Sequence, residues 1–146
     1  EMVGIVHRYD GMVDKFVGDE VIGIYIPKFA GEDHASKAIK AAKQIMIDTG
    51  HNNKNGPWVP IGIGIHTGKT FVGSVTGTGG AGTDFTALGD AVNVTARLAS
   101  AAKAGEILVS ENACKSAGIN VKNLESRRLK LKGKSKPFSV RVIKKK

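Results

Sequence analysis

The residues best suited to chemistry cluster first at a short turn near the N-terminal end of the sequence. Two segments rich in β-branched and aromatic residues, Met12–Val17 and 21–26, flank a Gly-Asp pair, which suits a hairpin turn because glycine adopts positive φ without steric cost. Lys15 interrupts the first apolar segment, and Asp19 and Glu20 adjoin at the tip. By themselves these residues predict a solvated turn with an exposed lysine, because acidic residues are common in turns.

A second set of polar residues lies far downstream. Asp90 is placed to cap a helix that runs to about Lys103, and Asn93 and Arg97 are four residues apart, so they project from one face of that helix. An exposed helix arginine without a function is the alternative for Arg97. Further on, residues 132–137 (KGKSKP) form a turn rich in cations between two apolar segments.

The elements that must position these residues follow from hydrophobic periodicity. It predicts a helix end at 1–9, the hairpin, a helix from Asp33 to about Gly50, strands at 60–68, 69–75, 85–88 and 105–110, a short helix at 111–118, and strands at 124–131 and 138–143. Residues 76–83, which are rich in glycine, predict a flexible connector. The order predicts an α/β fold of the α+β sandwich type, in which helices cover a mostly antiparallel sheet.

Length and composition limit the possible classes. The 146 residues suit a single domain spanning 1–146, and no apolar run is long enough to span a bilayer. No signal peptide is visible, and the single cysteine, Cys114, fits a reducing compartment, so we expect a cytoplasmic protein without a membrane segment. The net charge of +9 suits anionic partners such as nucleotides. Nucleic acid is not an expected partner, because only 5% of the residues are aromatic and none interleave with the cations.

Six sequence blocks, taken together, identify a family resemblance. They are VDKFVGDE (13–20), EDHA (32–35), GIHTG (64–68), FTALGDAVNVTARL (85–98), GEILVS (105–110) and LKGK (131–134). In this order they resemble the catalytic domains of class III nucleotidyl cyclases, the adenylate and guanylate cyclases, and the likeness spans residues 9–143. The resemblance implies a ferredoxin-like core.

The resemblance also implies an activity. Members of the family convert a nucleoside triphosphate to the 3′,5′-cyclic monophosphate and pyrophosphate, using two Mg²⁺ or Mn²⁺ ions at each site. They work as dimers whose active sites are shared across the interface, so a homodimer is expected. Lys15 and Thr86 match the positions that read the base, and together they favour ATP.

The remaining site residues are assigned by the same resemblance. Asp19 matches one of two metal-binding aspartates, Asn93 the residue that orients the ribose, and Arg97 the residue that stabilises charge on the α-phosphate. The lysine that binds the terminal phosphates is either Lys132 or Lys134, a choice that the sequence leaves open.

Two departures from the family pattern keep other functions open. Gly62 stands where many members carry an arginine near the phosphates, and the first metal aspartate is expected on a strand upstream of Glu1. We therefore expect residues 1–146 to lack the first strand and part of the first helix of the catalytic domain, and to be inactive by themselves. One alternative is a non-catalytic cyclase-like domain that dimerises or senses nucleotide. A basic nucleic-acid-binding module of ferredoxin-like fold is the other, and it would need exposed aromatic residues on its sheet.

Overall fold

A computed structural model describes residues 1–76 and 83–144, and at residues 15, 74–76 and 83–86 it describes the backbone alone. The predicted glycine-rich connector falls mostly on residues 77–82, outside the described residues. The elements are α1 (Met2–Arg8), β1 (Met12–Val17), β2 (Glu20–Ile24), α2 (Pro27–Ala30), α3 (His34–Asp48), β3 (Ile63–Ile65), β4 (Phe71–Thr76), β5 (Thr83–Leu88), α4 (Asp90–Ala101), β6 (Glu106–Ser110), α5 (Glu111–Ala117), β7 (Glu125–Leu129) and β8 (Phe138–Lys144). None of the described helices is long and apolar enough to cross a membrane.

The strands form one larger sheet and two hairpins. The four-stranded sheet has the order β3-β6-β8-β7, and β1-β2 and β4-β5 are antiparallel pairs. Within the larger sheet β3 and β6 are parallel, whereas β6-β8 and β7-β8 are antiparallel. The predicted α+β architecture with a mostly antiparallel sheet is therefore confirmed.

Strand β6 is the centre of the core. All five of its residues are buried, as expected of a strand that is covered by helices on both faces. Leu108 packs with Val94 and Leu98 of α4 on one face. On the other face Ile107 and Val109 pack in the cluster that α3 and α5 contribute to.

Helix α4 approaches strand β3 closely because glycines replace side chains at the contact. A Cβ atom built on Gly62 would lie 2.5 Å from the carbonyl oxygen of Ala102, and one on Gly64 would lie 2.4 Å from the backbone nitrogen of Ala99. Real Cβ contacts are not this short, so any larger residue would push the helix away from the strand. This contact fixes where α4 presents its functional side chains.

Several predicted boundaries differ from the structure. Strand β3 is shorter than the predicted 60–68, and the short helix α2 was not predicted. The prediction that Asp90 caps α4 is wrong: the N-cap is Gly89, with φ 134°, and Asp90 is the first helical residue. Asp33 is the N-cap of α3 as predicted, but its side chain makes no capping hydrogen bond and lies 3.6 Å from Lys37 Nζ.

A bidentate ion pair ties together two strands that are not neighbours in the sheet. Arg127 of β7 donates from Nη1 and Nη2 to the two carboxylate oxygens of Glu106 on β6, at 3.0 and 2.8 Å. Glu106 is buried, and it also accepts a hydrogen bond from the backbone nitrogen of Lys103. The Arg127 guanidinium, more than any other group, lowers the pKa of Glu106 to about 2.

We predict that Arg127→Met lowers the free energy of unfolding by about 1.5–3 kcal/mol near pH 7, because the buried Glu106 carboxylate loses its charged donors. Because the folded-state pKa of Glu106 is depressed, its contribution is full above the unfolded value of 4.5 and is lost as the pH falls towards about 2. The difference between the two proteins should therefore shrink across that window. Denaturant unfolding at a series of pH values measures it. Arg128→Met, an exposed position on the same strand, is the control and should change little.

Candidate active site

One face of α4 carries three polar side chains in a row. Asp90, Asn93 and Arg97 follow one another at intervals of three and four residues, which places them on the same side of an α-helix. Asp90 and Asn93 are exposed, and Arg97 is partly buried. The predicted shared face of Asn93 and Arg97 is therefore present, and Asp90 extends it towards the start of the helix.

The loop between β7 and β8 lies across this face and is tied to it at two points. Nη1 of Arg97 donates a hydrogen bond to the backbone carbonyl oxygen of Lys132. Nζ of Lys134 donates to Oδ2 of Asp90 at 2.6 Å, an ion pair that bridges 44 residues of sequence. Gly133, with φ 85°, lies between the two contacts, and a Cβ there would sit 3.5 Å from Nη1 of Arg97. A glycine suits this position because of its positive φ.

The same contacts separate the two candidate phosphate-binding lysines. Lys134 is partly buried, and its ammonium lies on the polar face of α4. Lys132 is exposed and contributes its backbone carbonyl, not its side chain, to the contact with Arg97. The structure therefore gives the two lysine side chains different surroundings: Lys134 is paired with Asp90, and Lys132 is exposed.

A histidine that the sequence analysis gave no role lies beside this cluster. Nδ1 of His66 is 2.8 Å from the hydroxyl of Ser110, and the His66 ring packs edge-on against Phe138, with centroids 5.6 Å apart. The Ser110 hydroxyl oxygen already accepts from the Ala113 backbone nitrogen, so its proton is available to Nδ1. Burial lowers the pKa of His66, the Asp90 carboxylate opposes that change, and Lys134 adds to it. The motif GIHTG was the sequence signal for this residue.

A cleft separates the hairpin β1-β2 from strand β3. It has a volume of about 450 Å³ and is lined mainly by apolar residues of β2, α3, β3 and α4. In the described part of the chain, β2 pairs only with β1 and β3 pairs only with β6, so the strand edges that face the cleft have no partner strand. Asp19, in the turn between β1 and β2, is exposed and also lines the cleft.

Asp19 and one side of α4 both line this cleft, and Arg97 lies on the other side of the helix. The helix residues that line the cleft are Ala91, Val92, Thr95, Ala96 and Ala99. At 100° per residue, this face is turned away from Asn93 and Arg97. The structure therefore brings together Asn93, Arg97, Lys132 and Lys134, and it places Asp19 elsewhere in the chain.

The two predicted base-reading residues, Lys15 and Thr86, lie on strands. Their backbone is described, but their side chains are not. Lys15 is in β1, within an irregularity of the hairpin register between Val13 and Phe16. Thr86 is in β5 and pairs with Gly73 of β4. Strands β1 and β5 are in contact, so the backbone brings the two predicted positions to neighbouring strands.

No group of three or more His, Cys, Asp or Glu side chains within residues 1–76 and 83–144 is arranged to hold a metal. Two-metal catalysis requires ligands around ions roughly 3.5–4 Å apart. The exposed carboxylate of Asp19 has the chemistry of a metal ligand.

Packing against the end of α4 explains why position 62 carries a glycine. Its missing side chain would point at the backbone of Ala102, at the end of α4, where there is no space for an arginine. The departure from the family pattern at this position is therefore coupled to the close contact of α4 and β3.

We predict that Gly62→Ala lowers the free energy of unfolding by about 1–3 kcal/mol through overpacking, and that Gly62→Arg lowers it further without improving activity. Thermal or denaturant unfolding measures both effects. The matched control is Gly4→Ala, in helix α1, where an added Cβ meets no atom within 4 Å. Gly4→Ala should be neutral or slightly stabilising, since alanine favours helix. Unchanged stability of Gly62→Ala would show that α4 can move away from β3 at little cost.

Comparison with known proteins gives a consistent set of relatives. A model of the adenylate and guanylate cyclase catalytic domain family matches residues 10–143. The terminal-differentiation specific adenylate cyclase of Dictyostelium discoideum is 32% identical over 138 residues, which is 89% of this chain and 6% of that protein. The adenylate cyclase of Anabaena cylindrica is 28% identical over 148 residues, which is 92% of this chain and 28% of that protein. The chain therefore spans less than a third of the length of these relatives.

Solved structures agree with the fold. The adenylyl cyclase CyaB from P. aeruginosa is 28% identical, with a TM-score of 0.68 over 99% of this chain and 78% of that one. The guanylyl cyclase Cya2 has a TM-score of 0.81 over 97% of this chain and 73% of that one. Because Cya2 is only 20% identical, its likeness shows the fold alone.

Proposed function

Because this chain belongs to the family of adenylate and guanylate cyclase catalytic domains, we propose that it converts ATP to 3′,5′-cyclic AMP and pyrophosphate. The ribose 3′-hydroxyl loses its proton and attacks the α-phosphate, the new 3′ oxygen–phosphorus bond forms, and the bond to the leaving pyrophosphate breaks. The observation that carries the proposal is the row of donors on one face of α4, formed by Asn93, Arg97 and, from the adjoining loop, Lys134.

Each member of this row has chemistry that suits one part of the nucleotide. The Arg97 guanidinium presents several fixed donors and remains charged, so it can stabilise the negative charge that develops on the α-phosphate. The amide of Asn93 can both donate to and accept from ribose hydroxyls. Lys132 or Lys134 supplies a mobile point charge for the terminal phosphates. A domain that only dimerises would need none of these donors.

The preference for ATP rests on Lys15 and Thr86. A lysine can donate a hydrogen bond to an acceptor on adenine, and the two residues lie on strands in contact. The two relatives described above are both adenylate cyclases, and this supports the same choice.

The proposed metal site lies at the cleft between β2 and β3. Divalent ions are used by this family, and Asp19 is the described carboxylate that the resemblance assigns to them. We propose that an additional strand fills the cleft between β2 and β3, pairs with both free edges, and supplies the second carboxylate. A strand there would also cover apolar residues of α3 and α4 that line the cleft.

The positions of the site residues favour a homodimer. Asp19 lines the cleft and Arg97 lies on the side of α4 that is turned away from it, so a second copy of the chain is needed to bring one of each together. A candidate contact surface lies on the hairpins β1-β2 and β4-β5, which meet where β1 contacts β5: Phe16 and Val17 on β1 and the cross-strand pair Phe71 and Leu88 are all at least 50% exposed. Exposed apolar groups of this size on adjoining elements are typical of interaction sites.

We predict that a version of the protein extended upstream through the additional strand forms cyclic AMP from ATP with Mg²⁺ or Mn²⁺, whereas residues 1–146 alone do not. With ATP and GTP at equal concentration, cyclic AMP should be the main product. The measurement is chromatographic separation of the cyclic products.

Two outcomes would contradict parts of this account. Equal specific activity of the two versions would mean that residues 1–146 already hold the second carboxylate. An extended version that binds ATP but forms no cyclic product would favour the non-catalytic, nucleotide-sensing alternative.

A further inference from the structure

The solvent side of helix α3 carries positive charge and ends in an apolar residue. Lys40, Lys43 and Ile47 are all exposed, and their intervals of three and four residues place them on one side of the helix. The buried residues of α3 pack in the clusters that α1 and α5 also contribute to. The exposed side therefore takes no part in the core.

Trp58 adds an exposed aromatic ring at the end of this helix. Its indole nitrogen donates to the backbone carbonyl oxygen of Asp48 at 2.8 Å, and its backbone nitrogen donates to the carbonyl oxygen of Thr49 at 3.1 Å. These bonds fix Trp58 at the last turn of α3, yet 63% of Trp58 and 49% of Ile47 are exposed. Because the indole nitrogen already has its acceptor, the exposed part of the ring is mainly apolar.

The loop that precedes Trp58 adds a third lysine. A Cβ built on Gly50 would lie 3.0 Å from the side-chain nitrogen of Asn53 and 3.3 Å from a ring carbon of Trp58, so the loop folds beside the ring. Lys54 follows Asn53 and is exposed. The α3–Trp58 surface, as we name it, consists of Lys40, Lys43, Ile47, Lys54 and Trp58.

The apolar part of the α3–Trp58 surface is small for a contact with another protein. The exposed parts of Trp58 and Ile47 together offer on the order of 200 Å². A stable protein interface buries about 800 Å² on each partner. The available apolar area therefore falls well short of what a second protein needs.

A lipid bilayer requires less apolar area and rewards the residue types that are present. Indole rings prefer the boundary between headgroups and acyl chains, and each lysine close to an anionic leaflet adds attraction. The acidic residue at this end of α3, Asp48, accepts a hydrogen bond from the side chain of Gln44 at 2.7 Å. The net charge of +9 acts in the same direction.

We propose that the α3–Trp58 surface docks the protein on an anionic phospholipid bilayer. The Trp58 ring and Ile47 lie at the level of the headgroups, and the three lysines contact lipid phosphates. Since α3 carries none of the residues assigned to the nucleotide or the metal ions, the proposal is independent of the proposed function. Three lysines should favour an anionic over a neutral bilayer by about 10- to 100-fold.

The test measures binding of the purified protein to vesicles by flotation, which separates bound protein from aggregates. Vesicles of phosphatidylcholine with about one third phosphatidylglycerol should carry the protein upward, and phosphatidylcholine alone should not. Trp58 is the only tryptophan of residues 1–146, so its fluorescence reports the contact directly. The emission should shift to shorter wavelength on the anionic vesicles, because the ring leaves water.

Two changes on the surface should each weaken binding. Trp58→Ser should weaken it about ten-fold through the lost apolar area. Lys40→Gln combined with Lys43→Gln should weaken it about 10- to 30-fold. The lysines are exposed and have no role in the core, so they test the surface even where Trp58→Ser loosens the end of α3.

Each change has a matched control that should leave vesicle binding unchanged. Phe29→Ser removes an aromatic ring of similar exposure, 59%, from α2, which lies beside the first turns of α3 and not the last. Arg128→Gln combined with Lys130→Gln removes the same net charge from exposed positions at the end of β7.

Several outcomes would overturn the proposal. Absence of flotation with anionic vesicles would exclude lipid docking. An equal loss of binding from the Arg128 and Lys130 pair would mean that net charge alone is responsible, and binding without a change in emission would leave Trp58 in water. Self-association that depends on Trp58, seen by analytical ultracentrifugation without vesicle binding, would show a protein contact instead.

Discussion

The close contact between α4 and β3 is the constraint on which the rest of the structure depends. Gly62 and Gly64 remove the side chains that would separate strand from helix, so the helix backbone rests on the strand backbone. Once the helix is fixed there, Val94 and Leu98 bury completely against the sheet, and the orientation of every other residue of α4 is determined. A helix held only by long side chains would have more freedom to rotate.

This orientation divides the chemistry of the domain between two sides of one helix. One side lines the cleft that Asp19 also faces, and the other carries Asn93 and Arg97 under the β7-β8 loop. The loop brings Lys134 to the second side, where Asp90 holds it. In the proposed function, phosphate is bound on this second side and the metal ions at the cleft, and the reaction needs both. The proposed homodimer is the arrangement that joins them.

The sequence predicted the parts of this account that depend on local patterns. The segment rich in β-branched and aromatic residues predicted β1 with its observed bounds, and the four-residue interval placed Asn93 and Arg97 on a common face. The sequence left open whether Lys132 or Lys134 binds phosphate, and the different contacts of the two residues depend on the backbone path around Gly133. Asp90 was taken for a helix cap because its partner lies 44 residues away. From the sequence, Gly62 was only a departure from the family pattern, since its role in packing depends on the tertiary contact with Ala102.

The most direct test of the divided site is to mix two inactive chains, in the longer version that includes the additional strand. Asp19→Ala removes the proposed metal ligand and Arg97→Ala removes the phosphate donor, so neither homodimer should retain a complete site. If each site takes Asp19 from one subunit and Arg97 from the other, an equal mixture should regain about one quarter of the unmodified activity, because half of the dimers are mixed and each of these has one intact site. A mixture no more active than either parent, measured as cyclic AMP formation, would contradict the shared site.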